Sequence, residues 1–328
     1  MGLTISVIVP SYQRTEDLVR CLKALAAQLR PADEICGISQ AADAETIAVF
    51  RAQSAEIVHL RLTLVDRPGL VHALNEGIAH STGDIVVLTD DDAEADPDWL
   101  KRIEEWFLKD ASVGAVGGRD RLQYPGYPHL SDPPPVSKVG KLTWYGVMIG
   151  NHHCPTRQPM EVDCLKGVNL AVRRVALDPE GFALDLRGKS TQLGSELDLC
   201  MRVKEKGFRI IFDPEVSVKH YASKRPSGVE RTKVETYEGV TARDIVFNYG
   251  FLAGKWYSPL QVFGSFFMTL FKGSRRLPGL LAIIKWCMLG EFSVIRRFVN
   301  QFPASIEGYR AGIKKRRERK RQAATDRR

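Results

Sequence analysis

Apolar positions in the first 120 residues follow two patterns in turn. Short runs rich in β-branched and apolar residues alternate with stretches in which apolar residues recur every three or four positions. Leu3 to Val9 is a run of the first kind, ended by Pro10-Ser11, and predicts a buried strand leading into a loop. Thr15 then caps a predicted helix whose positions Leu18, Cys21, Leu22, Leu25 and Leu29 keep helical spacing. Strands are predicted at Glu34 to Ile38, Leu60 to Val65 and Ile85 to Thr89, and Val113 to Val116 begins another, with helices at Ala44 to Ala52, Gly69 to His80 and Pro97 to Leu108. This alternation predicts an α/β fold with a mostly parallel central sheet and helices on both faces. Such sheets bind ligands beyond the carboxyl ends of their strands, where Pro10 to Arg14 and Asp90 to Asp92 both lie.

The second half is less regular. Tyr124 to Lys141 is Pro-rich and predicts a long surface loop bordering a substrate cleft. Regular structure resumes near Asp163, with a helix at about Gly194 to Lys206 and strands at Phe208 to Phe212 and Val216 to His220. From Arg243 the texture changes. Trp256 to Phe271 is uncharged and aromatic-rich, and Leu277 to Leu289 is apolar apart from Lys285. A membrane span needs about 20 apolar residues, and Pro259, Gly264 and Lys285 interrupt these runs. Amphipathic segments lying in a membrane interface are therefore expected, against the plainer reading of a soluble helical cap, with a hairpin insertion left open.

Charge changes one conclusion. The net charge of +8 invites a nucleic-acid partner, but residues 309–328 hold ten Lys or Arg against two acidic residues and account for all of it. The remainder is neutral, so no nucleic-acid partner is expected. That basic tail is expected to be disordered and to reinforce binding to an anionic membrane surface. Six scattered cysteines without C-x-x-C spacing suit a reducing compartment. The absence of a basic, small-residue leader before the first strand predicts a cytoplasmic protein, peripheral on the cytoplasmic membrane face.

The candidate chemistry starts at Asp90-Asp91-Asp92. Adjacent carboxylates repel and raise one another's pKa, and a divalent cation relieves that repulsion. Hard oxygen ligands suit Mn2+ or Mg2+, which also bridge diphosphate oxygens. The plainer reading is a polar turn before the helix at Pro97, for which Asp96 alone suffices.

Read in order, Pro10-Ser11-Tyr12-Gln13-Arg14, Asn75-Glu76-Gly77, Thr82-Gly83-Asp84 and the strand ending in the aspartates resemble family 2 glycosyltransferases. The match covers roughly residues 3 to 222. It implies the GT-A fold of nucleotide-diphospho-sugar transferases and an inverting reaction. By that resemblance, Pro10, Ser11, Tyr12, Arg14, Asn75, Asp90 and Asp91 hold the nucleotide sugar, and Asp92 is the most direct metal ligand, with Asp90 beside it. His220, ending a strand, takes a place where related enzymes have a metal ligand or diphosphate contact, with Arg225 near it; simple packing is the alternative. Lys166, Gly167 and Asn169 lie in the family's acceptor-side segment. Glu196, within Gly194-Ser195-Glu196-Leu197-Asp198, stands where the family has its catalytic aspartate, and a carboxylate there suits a general base. Asp198 and Arg202 are expected to form an i,i+4 ion pair.

Two departures leave the nucleotide open among UDP, GDP and dTDP. The acidic, base-reading residue usual after the second strand is replaced by Ile38-Ser39-Gln40, and Asp43 either substitutes for it or only caps its helix. The basic residue usual before Asn75 is Leu74, for which Arg67 or His72 can stand in. In Gly150-Asn151-His152-His153, Asn151 and His152 are expected to line the sugar or acceptor pocket with Trp144, whose ring can stack on a sugar face. A zinc site with Cys154 and Cys164 is the alternative.

The expected organisation is a GT-A domain over residues 1–242, with a nucleotide-sugar-binding half (1–120) and an acceptor-side half (121–242). A C-terminal amphipathic, membrane-associated helical region (243–308) and the basic tail (309–328) follow. The expected function is metal-assisted transfer from a nucleotide-diphospho-sugar to the hydroxyl of a glycan or lipid-linked precursor, with Glu196 as base. The competing classes are a non-catalytic nucleotide-sugar-binding or membrane scaffold and a metal-dependent nucleotidyltransferase.

Overall fold

The computed structural model describes residues 2–123, 132–188, 191–221, 241–274 and 276–325, side chains 323 and 324 excepted. Arg225 and part of the Pro-rich loop lie outside them. The chain divides into two compact units.

The first unit comprises Met1–Lys141, Gly150–Ala183 and Glu196–Thr232. Its sheet uses β1 (Ile5–Ser11), β2 (Glu34–Gln40), β3 (Leu60–Val65), β4 (Ile85–Leu88), β5 (Ala93–Ala95), β6 (Val113–Gln123), β9 (Met160–Glu161), β10 (Leu170–Arg173) and β11 (Arg209–Tyr221). The strand order is β3-β2-β1-β4-β10-β6-β11-β5, with β9 pairing β11. β3, β2, β1 and β4 run parallel, as the alternating pattern predicts. β10 breaks that run by pairing antiparallel with both β4 and β6.

Helices α1 (Thr15–Ala26), α2 (Ala44–Ser54), α3 (Leu70–His80), α4 (Trp99–Lys109) and α5 (Ser195–Glu205) accompany the strands. Ile5, Val7 and Val9 of β1 share a core with Leu18, Leu22 and Leu25 of α1 and with Trp99, Leu100 and Ile103 of α4. The opposite face of β1 meets α3, where a Cβ on Gly77 would sit 2.5 Å from Ile8 Cγ2. Helices therefore cover both faces, as a parallel sheet requires. The Thr82-Gly83-Asp84 motif pins this sheet: Asp84 Oδ2 accepts from Thr4 N at 2.9 Å, and buried Glu34 accepts from Thr82 Oγ1 at 3.0 Å.

Two local expectations need correction. Thr15 does not cap α1; it is the first helical residue, and the cap position is Arg14, whose side chain is drawn to the aspartates instead. The two strands expected between Phe208 and His220 are one strand, β11, with a register shift against β6 between Asp213 and Val218.

The second unit comprises Leu142–Ile149, Leu184–Ser195 and Lys233–Arg328. A short hairpin of β7 (Lys141–Leu142) and β8 (Met148–Ile149) opens it. Among the described residues four helices follow: α6 (Ala242–Trp256), α7 (Pro259–Phe271), α8 (Leu280–Met288) and α9 (Ser293–Thr325). Thr241 with Asp244 and Ser258 with Gln261 form capping boxes that start α6 and α7. α6 and α9 pack backbone to backbone through two Gly-x-x-x-Gly pairs, Gly250/Gly254 and Gly308/Gly312. A Cβ on Gly308 would lie 2.2 Å from Phe247 O, and one on Gly312 2.0 Å from Phe251 O.

The basic tail differs from its expected disorder. Most of it is the C-terminal half of α9, held because Tyr309 is buried, Arg316 donates to Tyr257 O and Arg319 lies 3.8 Å over the Trp256 ring. Among the described residues no helix is long and apolar enough to cross a membrane.

Candidate active site

β1 and β4 are parallel neighbours with Ile8 opposite Leu88, so the loop after β1 and the aspartate run leave the sheet side by side. Charges of both signs meet there. Arg14 Nη1 donates to Asp91 Oδ1 at 2.8 Å and lies 3.2 Å from Asp92 Oδ2. Ser11 Oγ donates to Asp91 Oδ2 at 2.8 Å. Asp91 and Asp92 are buried and Asp90 is half-buried. Burial drives the Asp91 carboxyl up and Arg14 pulls it back, while Asp92 adds repulsion; the balance is about 7.

His220 reaches this run from β11, where it pairs antiparallel with Ala93 of β5, just after the aspartates. Its Nε2 lies 3.2 Å from Asp92 Oδ1 and its Nδ1 2.9 Å from Asp120 Oδ1. Burial lowers the imidazole pKa, but the bonds to Asp120 and Asp92 outweigh burial and hold it near 9. Asp120, in β6, is wholly buried, and its second oxygen takes the Lys166 ammonium. Burial alone would raise this carboxyl; His220 and Lys166 hold it far below the usual carboxylate range.

One ligand atom from each of Asp90, Asp92 and His220 lies within 4.8 Å of the others. Among the described residues this is the only group of three or more His, Cys, Asp or Glu side chains so placed. Two hard carboxylates and one imidazole fit Mn2+ well and Mg2+ acceptably. The three residues expected as metal ligands are thus brought together.

The segment expected on the acceptor side adjoins this group through Lys166, which pairs with Asp120. Gly167 follows it in a 3-10 turn, and a Cβ on Gly167 would sit 3.3 Å from Glu196 Oε1. Glu196 is half-buried in the first turn of α5. A path of contacts therefore runs from Glu196 past Gly167 and Lys166 to Asp120, His220 and Asp92. The Asp198–Arg202 ion pair is present at 3.2 Å, and Arg202 also reaches Asp178 at 2.7 Å.

Other expected residues sit elsewhere or are engaged in structural bonds. Pro10 is buried within β1 opposite Ile38, and Tyr12 is exposed. Asp43 caps α2 by accepting from Thr46 N, and also accepts at 2.7 Å from Gln13 N, whose positive φ of 54° this bond helps to hold. Asn75 brackets the Phe182 backbone, accepting from its N at 2.7 Å and donating to its O at 2.9 Å. Asn169 is 1 % exposed and ties Trp99 Nε1 to Val216 O, so its amide braces the sheet rather than facing a pocket. His152 is also buried, with Nε2 2.9 Å from Cys164 O; burial lowers its pKa to about 4, which keeps it neutral. It joins no metal-ligand group with Cys154 or Cys164. Asn151 takes a positive φ of 60° and donates to Lys138 O at 3.2 Å. Trp144 is 72 % exposed and belongs to the second unit.

Asp120 is the residue that sequence reasoning missed. Its signal was an Asp in the continuation of the strand that begins at Val113 to Val116, past Gly117-Gly118, where no site residue was expected. Those glycines lie inside β6 because neighbouring backbone crowds them: a Cβ on Gly118 would meet Val216 O at 1.9 Å.

A mostly parallel sheet carrying an Asp-Asp-His group at its strand ends defines a GT-A-type glycosyltransferase. The comparisons agree: the family described as "Glycosyltransferase like family 2" matches residues 3–239, and the chain belongs to it. The glycosyltransferase AglE of Haloferax volcanii is 29 % identical over 124 residues, covering 37 % of this chain and 40 % of AglE. The chain covers from 20 % to 47 % of the curated relatives it matches. The mannosyltransferase PcManGT from Pyrobaculum calidifontis, solved with GDP-Man and Mn2+, superposes with a TM-score of 0.55 at 20 % identity, over 95 % of this chain and 88 % of its own. S. aureus TarS, solved with UDP-GlcNAc, superposes with a TM-score of 0.60 at 14 % identity, over 96 % and 92 %. At these identities the likeness shows the fold.

Proposed function

We propose that this chain is an inverting, metal-assisted glycosyltransferase that moves a sugar from a nucleotide-diphospho-sugar to an acceptor hydroxyl. The observation that carries the reading is the convergence of Asp90, Asp92 and His220, joined through Asp120, Lys166 and Gly167 to Glu196. Solved relatives of the same fold carry GDP-Man with Mn2+ and UDP-GlcNAc, which favours this donor class without choosing the nucleotide.

In this reading Asp90, Asp92 and His220 hold Mn2+ or Mg2+, which when bound supplies positive charge to the leaving diphosphate. Ser11 and Arg14 fix the Asp91 carboxylate, which with exposed Tyr12 bounds the donor side. Asp120 fixes the ring of His220. Glu196 accepts the proton of the acceptor hydroxyl while that oxygen bonds to the anomeric carbon and the bond to diphosphate breaks, inverting the centre. The exposed apolar side chains of α7 and α8 favour a peripheral place on a membrane and with it a lipid-linked acceptor, a glycan acceptor being the alternative.

A thermal-shift panel of UDP-, GDP- and dTDP-sugars, each with and without Mn2+, tests the donor half. One nucleotide class should raise the melting temperature, and more so with Mn2+. Stabilisation indifferent to metal contradicts the Asp90–Asp92–His220 assignment.

A further inference from the structure

The second unit carries an apolar surface that sugar transfer does not use. α7 and α8 contain no fully buried residue, although Phe, Leu, Ile, Met and Trp dominate them. Eleven large apolar side chains between residues 260 and 299 are more than 40 % exposed, including Phe263 (67 %), Phe267 (48 %), Leu281 (61 %), Met288 (83 %) and Phe292 (65 %). Elsewhere among the described residues such side chains are scattered. Scattered ones are ordinary surface, whereas a concentration of this kind marks a binding face.

The same segment is cationic. Residues 259–300 hold six Lys or Arg against Glu291 alone. Lys285, Arg296 and Arg297 are exposed among the apolar side chains. Charged residues are depleted from the core of a protein–protein contact. A lipid surface accommodates cations beside apolar side chains, because its phosphates lie just above its acyl chains.

We propose that α7, α8 and the first turns of α9 form a docking face for an anionic lipid surface. The helices lie in its plane, with apolar side chains entering the boundary between headgroups and acyl chains and Lys285, Arg296 and Arg297 meeting lipid phosphates. α7 spans 13 residues and α8 spans 9, too short to cross a bilayer singly but long enough to lie on one. Trp286, 43 % exposed, suits the headgroup level. The inference deepens the peripheral placement proposed above and rests on the second unit alone, so vesicle binding and donor binding fail independently.

Flotation of the full chain with vesicles of phosphatidylcholine alone, or mixed with phosphatidylglycerol, tests the proposal. The chain should float with the anionic vesicles and bind about tenfold less to the zwitterionic ones or in high salt. A Phe263→Ser, Phe267→Ser double variant should lose flotation, and Lys285→Glu with Arg296→Glu and Arg297→Glu should weaken it about tenfold or more. All five positions lie outside the core, so circular dichroism should stay unchanged. Failure to float, equal binding to both vesicles, or unchanged binding by both variants overturns the proposal. So does a lipid-free dimer in sedimentation velocity that the Phe double variant splits, because a second copy then covers this face.

Discussion

His220 Nδ1 and Asp120 Oδ1 are 2.9 Å apart, and this bond fixes which nitrogen of His220 faces the aspartate run. With Nδ1 committed to Asp120, Nε2 points at Asp92. Outer partners of this kind commonly change metal affinity by about 10- to 100-fold. Asp120→Asn should therefore weaken Mn2+ binding by about that factor, read by titration calorimetry, with unchanged far-UV circular dichroism. Undiminished affinity would mean that Asp120 only braces β6.

Gly167→Ala tests the contact with Glu196 from the other side. The added Cβ would press on Glu196 Oε1 at 3.3 Å, and the carboxylate must shift by a few tenths of an ångström. The turnover number should fall by roughly tenfold while donor affinity holds, since small misplacements of a reacting group cost rate rather than binding. Unchanged turnover would place Glu196 outside the reaction.

A pH dependence of stability follows from His152. Its folded-state pKa of about 4 lies below the ordinary value of 6.5, so between these pH values the unfolded chain binds a proton that the folded chain refuses. Stability is then full above the ordinary value and falls as pH drops toward 4, by roughly 3 kcal/mol in all. Urea melts across that range should show this slope, and His152→Gln should flatten it.

Gly312→Ala should destabilise the second unit by roughly 1–3 kcal/mol, because its Cβ would lie 2.0 Å from Phe251 O and force α6 and α9 apart. Denaturant unfolding followed by tryptophan fluorescence measures it. An unchanged midpoint would contradict the backbone-to-backbone packing of these helices.

What the sequence made legible was local. β1 and β4 were readable because strands buried on both faces are dominated by apolar, β-branched residues, Ser6 being the exception inside β1, and the aspartates were readable because they follow the second of those runs. His220 was readable only through the family resemblance, since Ser217 and Lys219 precede it in the same strand and no local pattern sets it apart. The missing parts depend on distant neighbours. β10 is a strand only because β4 and β6 flank it, and Leu170 to Arg173 carries no alternation of its own. Asp120 was hidden because it follows Gly117-Gly118, whose place inside β6 is explained only by distant backbone, Asn169 O beside Gly117 and Val216 O of β11 beside Gly118. Asn75 and Asn169 fit motif positions, yet their amides are bonded to backbone and indole groups 107 and 70 residues away, pairings no local pattern reveals. The tail read as disordered because its charge is visible in sequence, whereas its seat on Trp256 and Tyr257 is not.

Glu196→Gln tests most directly whether a donor half at the aspartates works with an acceptor half at Glu196. Sugar transfer by this variant should be measured beside Mn2+-dependent donor binding, once the panel has identified the donor. The account predicts transfer reduced by about 10²- to 10⁴-fold with donor affinity unchanged. Transfer at the wild-type rate would contradict it.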